Sequence, residues 1–231
     1  HVIRLLTRLI FVWFLKEKGL ISQELFQRES LKPILTDAFG QSETIYYKAI
    51  LQNLFFATLN TEMNKDKPES RKFRGKRANG QAQHYMIHNV FRYLDYFKNP
   101  QEALETYFDP IPFLNGGLFE CLDQREDLEG KPVSVRVDGF SDRSDNPLLL
   151  PDYLFFSDNQ MIDLNDTYGT KNKKYQVRGL IDILNSYKFT LDENTPIEDE
   201  IALDPELLGK VFENLLASYN PKTQITTRKK T

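Results

Sequence analysis

The sequence predicts a mainly α protein: an irregular multi-helix domain with a loop-rich segment that contains a few short strands. Apolar residues recur at helical spacing in several stretches. Segments rich in Asp, Asn, Gly and Pro separate these stretches, and 40% of the 231 residues are hydrophobic, which is enough to bury a core. We expect three parts: helices over 1–122, loops with short strands over 123–175, and C-terminal helices over 176–231.

The first helix is predicted over 2–18, where apolar side chains occupy almost all faces until Gly19 provides a natural stop. Such a helix should lie centrally in the core. Its Arg4 and Arg8 share one face and either contact DNA or pair with acidic residues of a neighbouring domain. Because the helix is otherwise apolar, a structural ion pair is favoured. Ser22 then opens a short helix.

A second strong helix is predicted over 44–59, where apolar residues follow the 3.6-residue period. The hydrophilic stretch 60–83 is expected to form a long surface loop. Helices are predicted again over 83–97 and 100–106.

A turn is predicted at Asn115-Gly116-Gly117. The two glycines either permit a tight turn that delivers Leu118 and Phe119 to the core, or they present backbone N–H groups to an anion. The structural interpretation is favoured.

The loop-rich part carries short apolar runs at 133–137 and 153–156, which predict strands. Helical spacing returns over 177–186. The last helix is predicted from Asp204, a good N-cap, with Pro205 at its first position.

The composition limits the classes of partner. With 30 Lys+Arg against 33 Asp+Glu the net charge is -3, so contact with nucleic acid must come from local patches. The single cysteine, Cys121, excludes an internal disulfide and is expected to be a buried small hydrophobe in a cytoplasmic protein. No apolar run approaches the ~20 residues of a membrane helix, so we expect no membrane partner.

Catalytic motifs are missing from the sequence. It has no Gly-rich phosphate loop, no Asp/Asn-Pro-Pro-aromatic tetrad and no HExxH pattern. Pro151-Asp152 could open a nuclease motif, but the only Glu-x-Lys lies upstream at 129–131. His84 and His88 have a metal-compatible spacing without a matching third ligand. We therefore expect no catalytic, cofactor-binding or metal-binding residues.

One basic segment is the candidate for contact with the DNA backbone. It combines one aromatic ring, Phe73, with seven basic side chains. Such a segment can supply phosphate contacts, although a solvated loop is the commoner role of a charge run. The seven residues are Lys65, Lys67, Arg71, Lys72, Arg74, Lys76 and Arg77.

Two stretches carry a family resemblance. They are Ile-Pro-Phe-Leu-Asn-Gly-Gly-Leu-Phe-Glu at 111–120 and Leu-Asp-Pro-Glu-Leu-Leu-Gly-Lys-Val-Phe-Glu-Asn-Leu-Leu at 203–216. Together with the helix at 5–19 they resemble the region immediately N-terminal to the adenine-N6 methyltransferase domain of type IIG restriction-modification enzymes. An uncapped apolar start and a polar, basic 223–231 also lead us to expect a piece of a longer polypeptide.

The resemblance implies a parent that joins a magnesium-dependent endonuclease, a helical connector, a methyltransferase that uses S-adenosylmethionine, and a target-recognition domain. This chain would be the non-catalytic connector, which needs no cofactor itself and meets DNA through the parent. In the family the tail at 226–231 leads into a segment that binds S-adenosylmethionine, so no cofactor residue is carried over.

Three alternatives stay open. The chain is an autonomous DNA-binding or protein-interaction module, the connector of a phage-defence methyltransferase without a nuclease, or a stand-alone nuclease with an unrecognised metal site that includes Asp152.

Overall fold

The fold is mainly helical, as predicted, and its strands form three two-stranded sheets within the described residues. The computed structural model describes residues 2–37, 39, 44–61, 71–73, 89–114, 117–128, 130–141, 146, 148–186, 188–190 and 200–202.

Helix α1 spans Val2–Glu17 and confirms the first predicted helix. Gly19 follows with a φ of +71°, and its N–H donates to the carbonyl of Lys16, which closes the last turn as a glycine stop should. Leu9, Val12 and Trp13 are almost fully buried, whereas Val2 is 69% exposed. The central position holds for the second half of the helix, and the first turn lies at the surface.

The predicted short helix after Ser22 is a 3-10 helix, Gln23–Phe26. The Ser22 hydroxyl accepts a hydrogen bond from the N–H of Glu24, which is the expected N-cap contact. Helix α2, Arg28–Leu31, follows directly.

The central helix of the fold is a π-helix, Tyr46–Leu59, in the place where 44–59 was predicted. Two hydroxyls reinforce its wide turn: Thr58 donates to the carbonyl of Asn53 and Thr61 donates to that of Phe56. The 3.6-residue spacing predicted one buried face, but every residue of this helix except Lys48 is buried. The core therefore surrounds it.

The helix predicted over 83–97 is wrong at its described end. Residues 83–88 lie outside the described residues, and 89–93 are not helical. Phe91 instead forms a parallel bridge with Phe73, and Tyr93 has a φ of +62°. Only Leu94–Tyr96 is helical there, as a 3-10 turn. Tertiary pairing of the two phenylalanines overrides the helical spacing.

The next helices agree with the sequence. Helix α3, Pro100–Ala103, begins with proline in the first turn and continues as a second π-helix, Leu104–Phe108. After the predicted turn, the 3-10 helix Gly117–Phe119 buries Phe119 as expected. Asn115 and Gly116 lie outside the described residues.

The first hairpin pairs β1, Gln124–Leu128, with β2, Lys131–Val135, in antiparallel register. The second strand overlaps the predicted run 133–137. The strand predicted at 153–156 is wrong, because Asp152–Leu154 forms a 3-10 helix after Pro151. Proline favours such a start, since it fixes φ.

The second hairpin pairs β3, Gln160–Ile162, with β4, Tyr175–Val177, across helix α4, Asn165–Tyr168. Helix α5, Leu180–Asn185, confirms the helical spacing over 177–186. Strands β5, Lys188–Thr190, and β6, Glu200–Ala202, pair in parallel.

The helix predicted from Asp204 lies outside the described residues. Within the described part, one hydrophobic cluster includes Leu9 and Trp13 together with Phe140, Phe155 and Ile181. No described helix is both long and apolar enough to cross a lipid bilayer.

Candidate functional site

A buried polar network lies where α1 meets the segment that carries the 111–120 motif. Its first member is Arg8, which is 2% exposed. The guanidinium donates from Nε to the carbonyl of Leu118 at 2.7 Å and from Nη2 to that of Glu120 at 2.7 Å. Its Nη1 lies 2.6 Å from Oδ1 of Asp138. The structural ion pair favoured for Arg8 is therefore confirmed, but its partner is Asp138 of this chain and not an acid of a neighbouring domain.

Two aspartates organise the loop that receives Arg8. Oδ2 of Asp138 accepts a hydrogen bond from the N–H of Leu122 at 2.8 Å. Asp123 accepts from three consecutive backbone N–H groups, those of Asp138, Gly139 and Phe140. Each carboxylate is thus surrounded by donors, which offsets the cost of burying its charge.

The central π-helix joins the network through Gln52, which is fully buried. Its amide donates to the carbonyl of Asp138 at 2.8 Å, and its Oε1 accepts from the Tyr93 hydroxyl at 2.6 Å. Asn146 completes the loop by donating to the carbonyls of Gly139 and Ser141. We call Arg8, Gln52, Tyr93, Asp123, Asp138 and Asn146 the buried polar network.

The network joins segments that are far apart in sequence. Arg8 and Asp138 are separated by 130 residues, and Gln52 and Asp138 by 86. A satisfied buried network of this kind specifies one arrangement of the segments that it joins. The side chains of the buried polar network therefore serve to hold these segments together.

The ends of the central π-helix are held by charges from elsewhere in the chain. At the N-terminal end, Asp152 accepts from the N–H of Tyr46 at 2.9 Å and from that of Phe39 at 3.0 Å. A carboxylate is favourable there because it satisfies orphan N–H groups and opposes the helix dipole. Asp152 has 0% exposure, so this carboxylate is enclosed by protein and is not open to a metal from solvent.

Arg71 holds the opposite end. Its guanidinium donates to the carbonyls of Thr58, Phe108 and Asp109, which close the two π-helices. A cation is stabilising at helix C-termini, where carbonyls lack partners. Burial lowers the pKa of Arg71, and the charge of Asp109 opposes that shift.

The seven basic residues predicted to contact DNA therefore differ in where the structure places them. Arg71 is only 3% exposed and is engaged with internal carbonyls, so its guanidinium faces the core instead of the surface. Phe73 packs on Phe91 at 5.6 Å, between ring centroids, and Lys72 is exposed. The other five positions, Lys65, Lys67, Arg74, Lys76 and Arg77, lie outside the described residues, and their contact with DNA stays a prediction.

Several reactive side chains are held in unreactive forms. Cys121 is a free, buried thiol, as expected, and burial raises its pKa. Burial also raises the pKa of Tyr46, and the nearby Asp152 raises it further. The thiol stays protonated and the phenol stays neutral, so neither is poised as a nucleophile or base.

His84 and His88 lie outside the described residues. Among the residues that the structure does describe, no group of three His, Cys, Asp or Glu side chains lies close enough to hold a metal ion.

Sequence reasoning missed most of the buried polar network. A signal existed in Gln52 and Asn53, two amides inside an apolar helix, since polar residues in such a place are buried and paired. Asn53 indeed exchanges two hydrogen bonds with the backbone of Arg92. The partners Asp123 and Asp138 had no signal, because a polar loop hides them among similar residues.

Comparison with known proteins links the chain to restriction-modification. It is similar to a Methanocaldococcus jannaschii protein whose name describes a type II restriction enzyme and methyltransferase, with 28% identity over 222 residues. The match covers 95% of this chain and 12% of the relative, so the chain spans about an eighth of the relative's length. No family model matches the chain, and no solved structure matches it.

The match agrees with the predicted resemblance to a restriction-modification protein. The type IIG class and the position immediately before a methyltransferase domain stay predictions.

Proposed function

We propose that this chain is a non-catalytic helical connector of a restriction-modification enzyme that joins a DNA adenine-N6 methyltransferase to an endonuclease. It fixes the distance and orientation of the neighbouring modules. The observation that carries the proposal is the buried polar network. Its hydrogen bonds hold α1, the central π-helix and the 118–141 segment together.

Rigidity is the physical requirement for such a role. A connector transmits geometry only if its segments cannot slide, and packed interiors are suited to this because they deform little. Arg8 supports that requirement by joining α1 to Leu118, Glu120 and Asp138 with one planar guanidinium. The similarity to a protein named as both restriction enzyme and methyltransferase supports the nature of the modules.

The cofactors belong to the parent enzyme in this proposal. S-adenosylmethionine serves the methyltransferase, Mg²⁺ serves the endonuclease, and the connector binds neither. DNA reaches the chain through the parent, with Lys72 and the predicted contacts Lys65, Lys67, Arg74, Lys76 and Arg77 touching the phosphate backbone.

The first test asks whether the chain alone has activity. The 231-residue chain is incubated with duplex DNA, Mg²⁺ and S-adenosylmethionine, and both strand cleavage and methyl transfer are measured. We expect neither activity at any protein concentration. Cleavage or methylation that copurifies with the chain would overturn the proposal.

The second test asks whether the connector sets geometry in the parent. Arg8→Met is introduced into the longer protein, and the distance from recognition site to cut is mapped by sequencing the products. We expect a spread of cut positions, because the brace between α1 and the 118–141 segment is removed. The exposed Lys18→Met change is the matched control and should leave the cut position sharp. An equally sharp position in the Arg8→Met enzyme would exclude positioning by this network.

A further inference from the structure

The second hairpin projects from a firmly fixed base. At that base, the N–H of Gly179 donates to the carbonyl of Ser157, and the N–H of Ile181 donates to that of Phe155. Asp182 accepts a hydrogen bond from the N–H of Ser157 at 2.9 Å. Phe155 and Ile181 are almost fully buried, so both ends of the hairpin are tied to the core.

The tip of the hairpin is braced by Asn165. Its amide donates to Oδ1 of Asp163 and to the carbonyl of Lys173, and its Oδ1 accepts from the N–H of Lys173 and the hydroxyl of Thr170. The Thr170 hydroxyl lies 2.8 Å from that of Tyr175. These contacts hold the loop between α4 and β4 in one conformation.

This ordered loop presents three lysines to solvent. Lys171, Lys173 and Lys174 are all exposed and lie within four consecutive residues. Between them Asn172 adopts a φ of +57°, a left-handed conformation that asparagine tolerates and that folds the loop tightly. In the part of the chain that the structure describes, no carboxylate forms a salt bridge with any of the three.

Asp163 and Asp166 lie in the same hairpin but form no salt bridge with these lysines, whereas two other described lysines each have a carboxylate partner. Lys32 pairs with Glu29, and Lys16 pairs with Glu17. Three ammonium groups carried within four residues of an ordered loop repel one another. The repulsion is relieved when a line of negative charges binds.

Aromatic and hydroxyl groups flank the lysines. The Tyr168 ring lies 5.2 Å from that of Tyr175, and Tyr168 is 62% exposed. Tyrosine hydroxyls and lysine ammonium groups are common donors to DNA phosphates. Strand β3 is exposed along its whole length, so the hairpin stands clear of the core on this side.

We propose that the hairpin β3–α4–β4 contacts the phosphate backbone of duplex DNA through Lys171, Lys173 and Lys174, with the Tyr168 hydroxyl as an additional donor. We call these four side chains the hairpin lysine site. It lies in a different part of the sequence from the 65–77 segment. The inference rests on the proposed role in a DNA-acting enzyme, but its test uses binding alone.

The experiment is a salt titration of duplex DNA binding to the 231-residue chain by fluorescence anisotropy, over roughly 50 to 200 mM salt, without Mg²⁺ or S-adenosylmethionine. The triple variant Lys171→Gln, Lys173→Gln, Lys174→Gln is compared with the unchanged chain. Each phosphate contact adds about 0.9 to the slope of log affinity against log salt. We expect the variant to lose about 2.7 of that slope and at least about tenfold in affinity at 100 mM salt.

A matched triple variant, Lys18→Gln, Lys32→Gln, Lys98→Gln, removes the same charge from exposed positions elsewhere and should leave the slope within about 1 of the unchanged chain. Tyr168→Phe removes one hydroxyl donor and should weaken binding by roughly three- to tenfold. Circular dichroism melts check that each variant keeps its fold.

The results that would overturn the hairpin lysine site differ from the results that would overturn the proposed function. Equal slopes for the hairpin and control variants would assign binding to general charge and overturn the site. No binding by the unchanged chain at low salt, or tighter binding to single strands than to duplex, would also overturn it. None of these results contradicts the connector proposal. That proposal is contradicted only if the chain alone cleaves or methylates DNA, or if Arg8→Met leaves the cut position unchanged in the longer protein.

Discussion

Removal of the Arg8 guanidinium should destabilise the protein severely. Arg8 and Asp138 are 2% and 7% exposed, and their charged atoms lie 2.6 Å apart. Breaking a buried pair by removing one partner costs about 3–5 kcal/mol, because the other charge is left buried without compensation. We therefore expect Arg8→Met to lower the free energy of unfolding by about 3–5 kcal/mol, roughly a third to a half of a typical total of about 10 kcal/mol.

The measurement is urea unfolding followed by tryptophan fluorescence. Trp13 is the only tryptophan, lies on α1 close to Arg8, and is 1% exposed, so it reports directly on this helix. With a denaturant slope of about 2 kcal/mol/M, the midpoint should fall by roughly 1.5–2.5 M while the slope is unchanged. Lys18→Met, at an exposed position, should change stability by no more than about 0.5 kcal/mol.

A double-mutant cycle separates the pair from its surroundings. Asp138→Asn keeps the shape of the side chain and removes its charge, so the double variant Arg8→Met with Asp138→Asn should lose less than the sum of the two single losses. The expected coupling is about 1–3 kcal/mol. A loss below about 1 kcal/mol for Arg8→Met, or strictly additive losses, would refute the assignment of Arg8 as a structural brace.

Three further expectations concern other parts of the fold. In Gly179→Ala the new Cβ would clash with the backbone carbonyl of Phe155, so the free energy of unfolding should drop by about 1–3 kcal/mol. In Gly117→Ala the new Cβ meets no atom of the described residues, so this variant should melt like the unchanged protein. Equal thermal melts of these two variants would contradict the packing. Because burial raises the pKa of the Cys121 thiol, Ellman's reagent should react with it far more slowly in the native protein than in urea, and equal rates would show an accessible thiolate. Burial also raises the pKa of Asp109 above its usual 3.8, so the folded state holds that proton more tightly and stability falls as pH rises through the raised pKa. Asp109→Asn should lack this fall in unfolding curves taken between about pH 3.5 and 7, and parallel pH profiles for the two proteins would contradict it.

The sequence predicted best where a local signal decides the structure. The glycine stop after α1 and the Ser22 cap both act within a few residues, and both appear as expected. The burial of Phe119 after the two glycines follows from the same kind of local rule.

Prediction failed where distant residues decide the structure. The run at 153–156 is apolar enough for a strand, but Asp152 is drawn to the end of the central π-helix and the backbone turns there. The helical spacing around Phe91 gives way to a bridge with Phe73. Neither contact has a signature that a window of neighbouring residues can contain.

The residues of the candidate site were likewise predicted where a local signal existed and missed where distant residues decide the contact. Arg8 was predicted as half of an ion pair because an arginine in an apolar helix requires a partner. The identity of that partner could not be predicted, since many acids occur in the polar loops and the choice of Asp138 depends on the whole fold. The hairpin lysine site was overlooked because Lys171, Lys173 and Lys174 are interrupted by Asn172 and follow acidic residues.

The capped central π-helix has a consequence for how this chain folds. Its N-terminal end is closed by Asp152, which lies 106 residues beyond Tyr46, and the first helix waits for Asp138, 130 residues beyond Arg8. Contacts of such separation slow folding, because a large loop must close before they form. During synthesis, the N-terminal end of the central π-helix therefore lacks its acidic partner until residue 152 has left the ribosome. Any truncation that ends before that point would leave the central helix without its N-terminal acid.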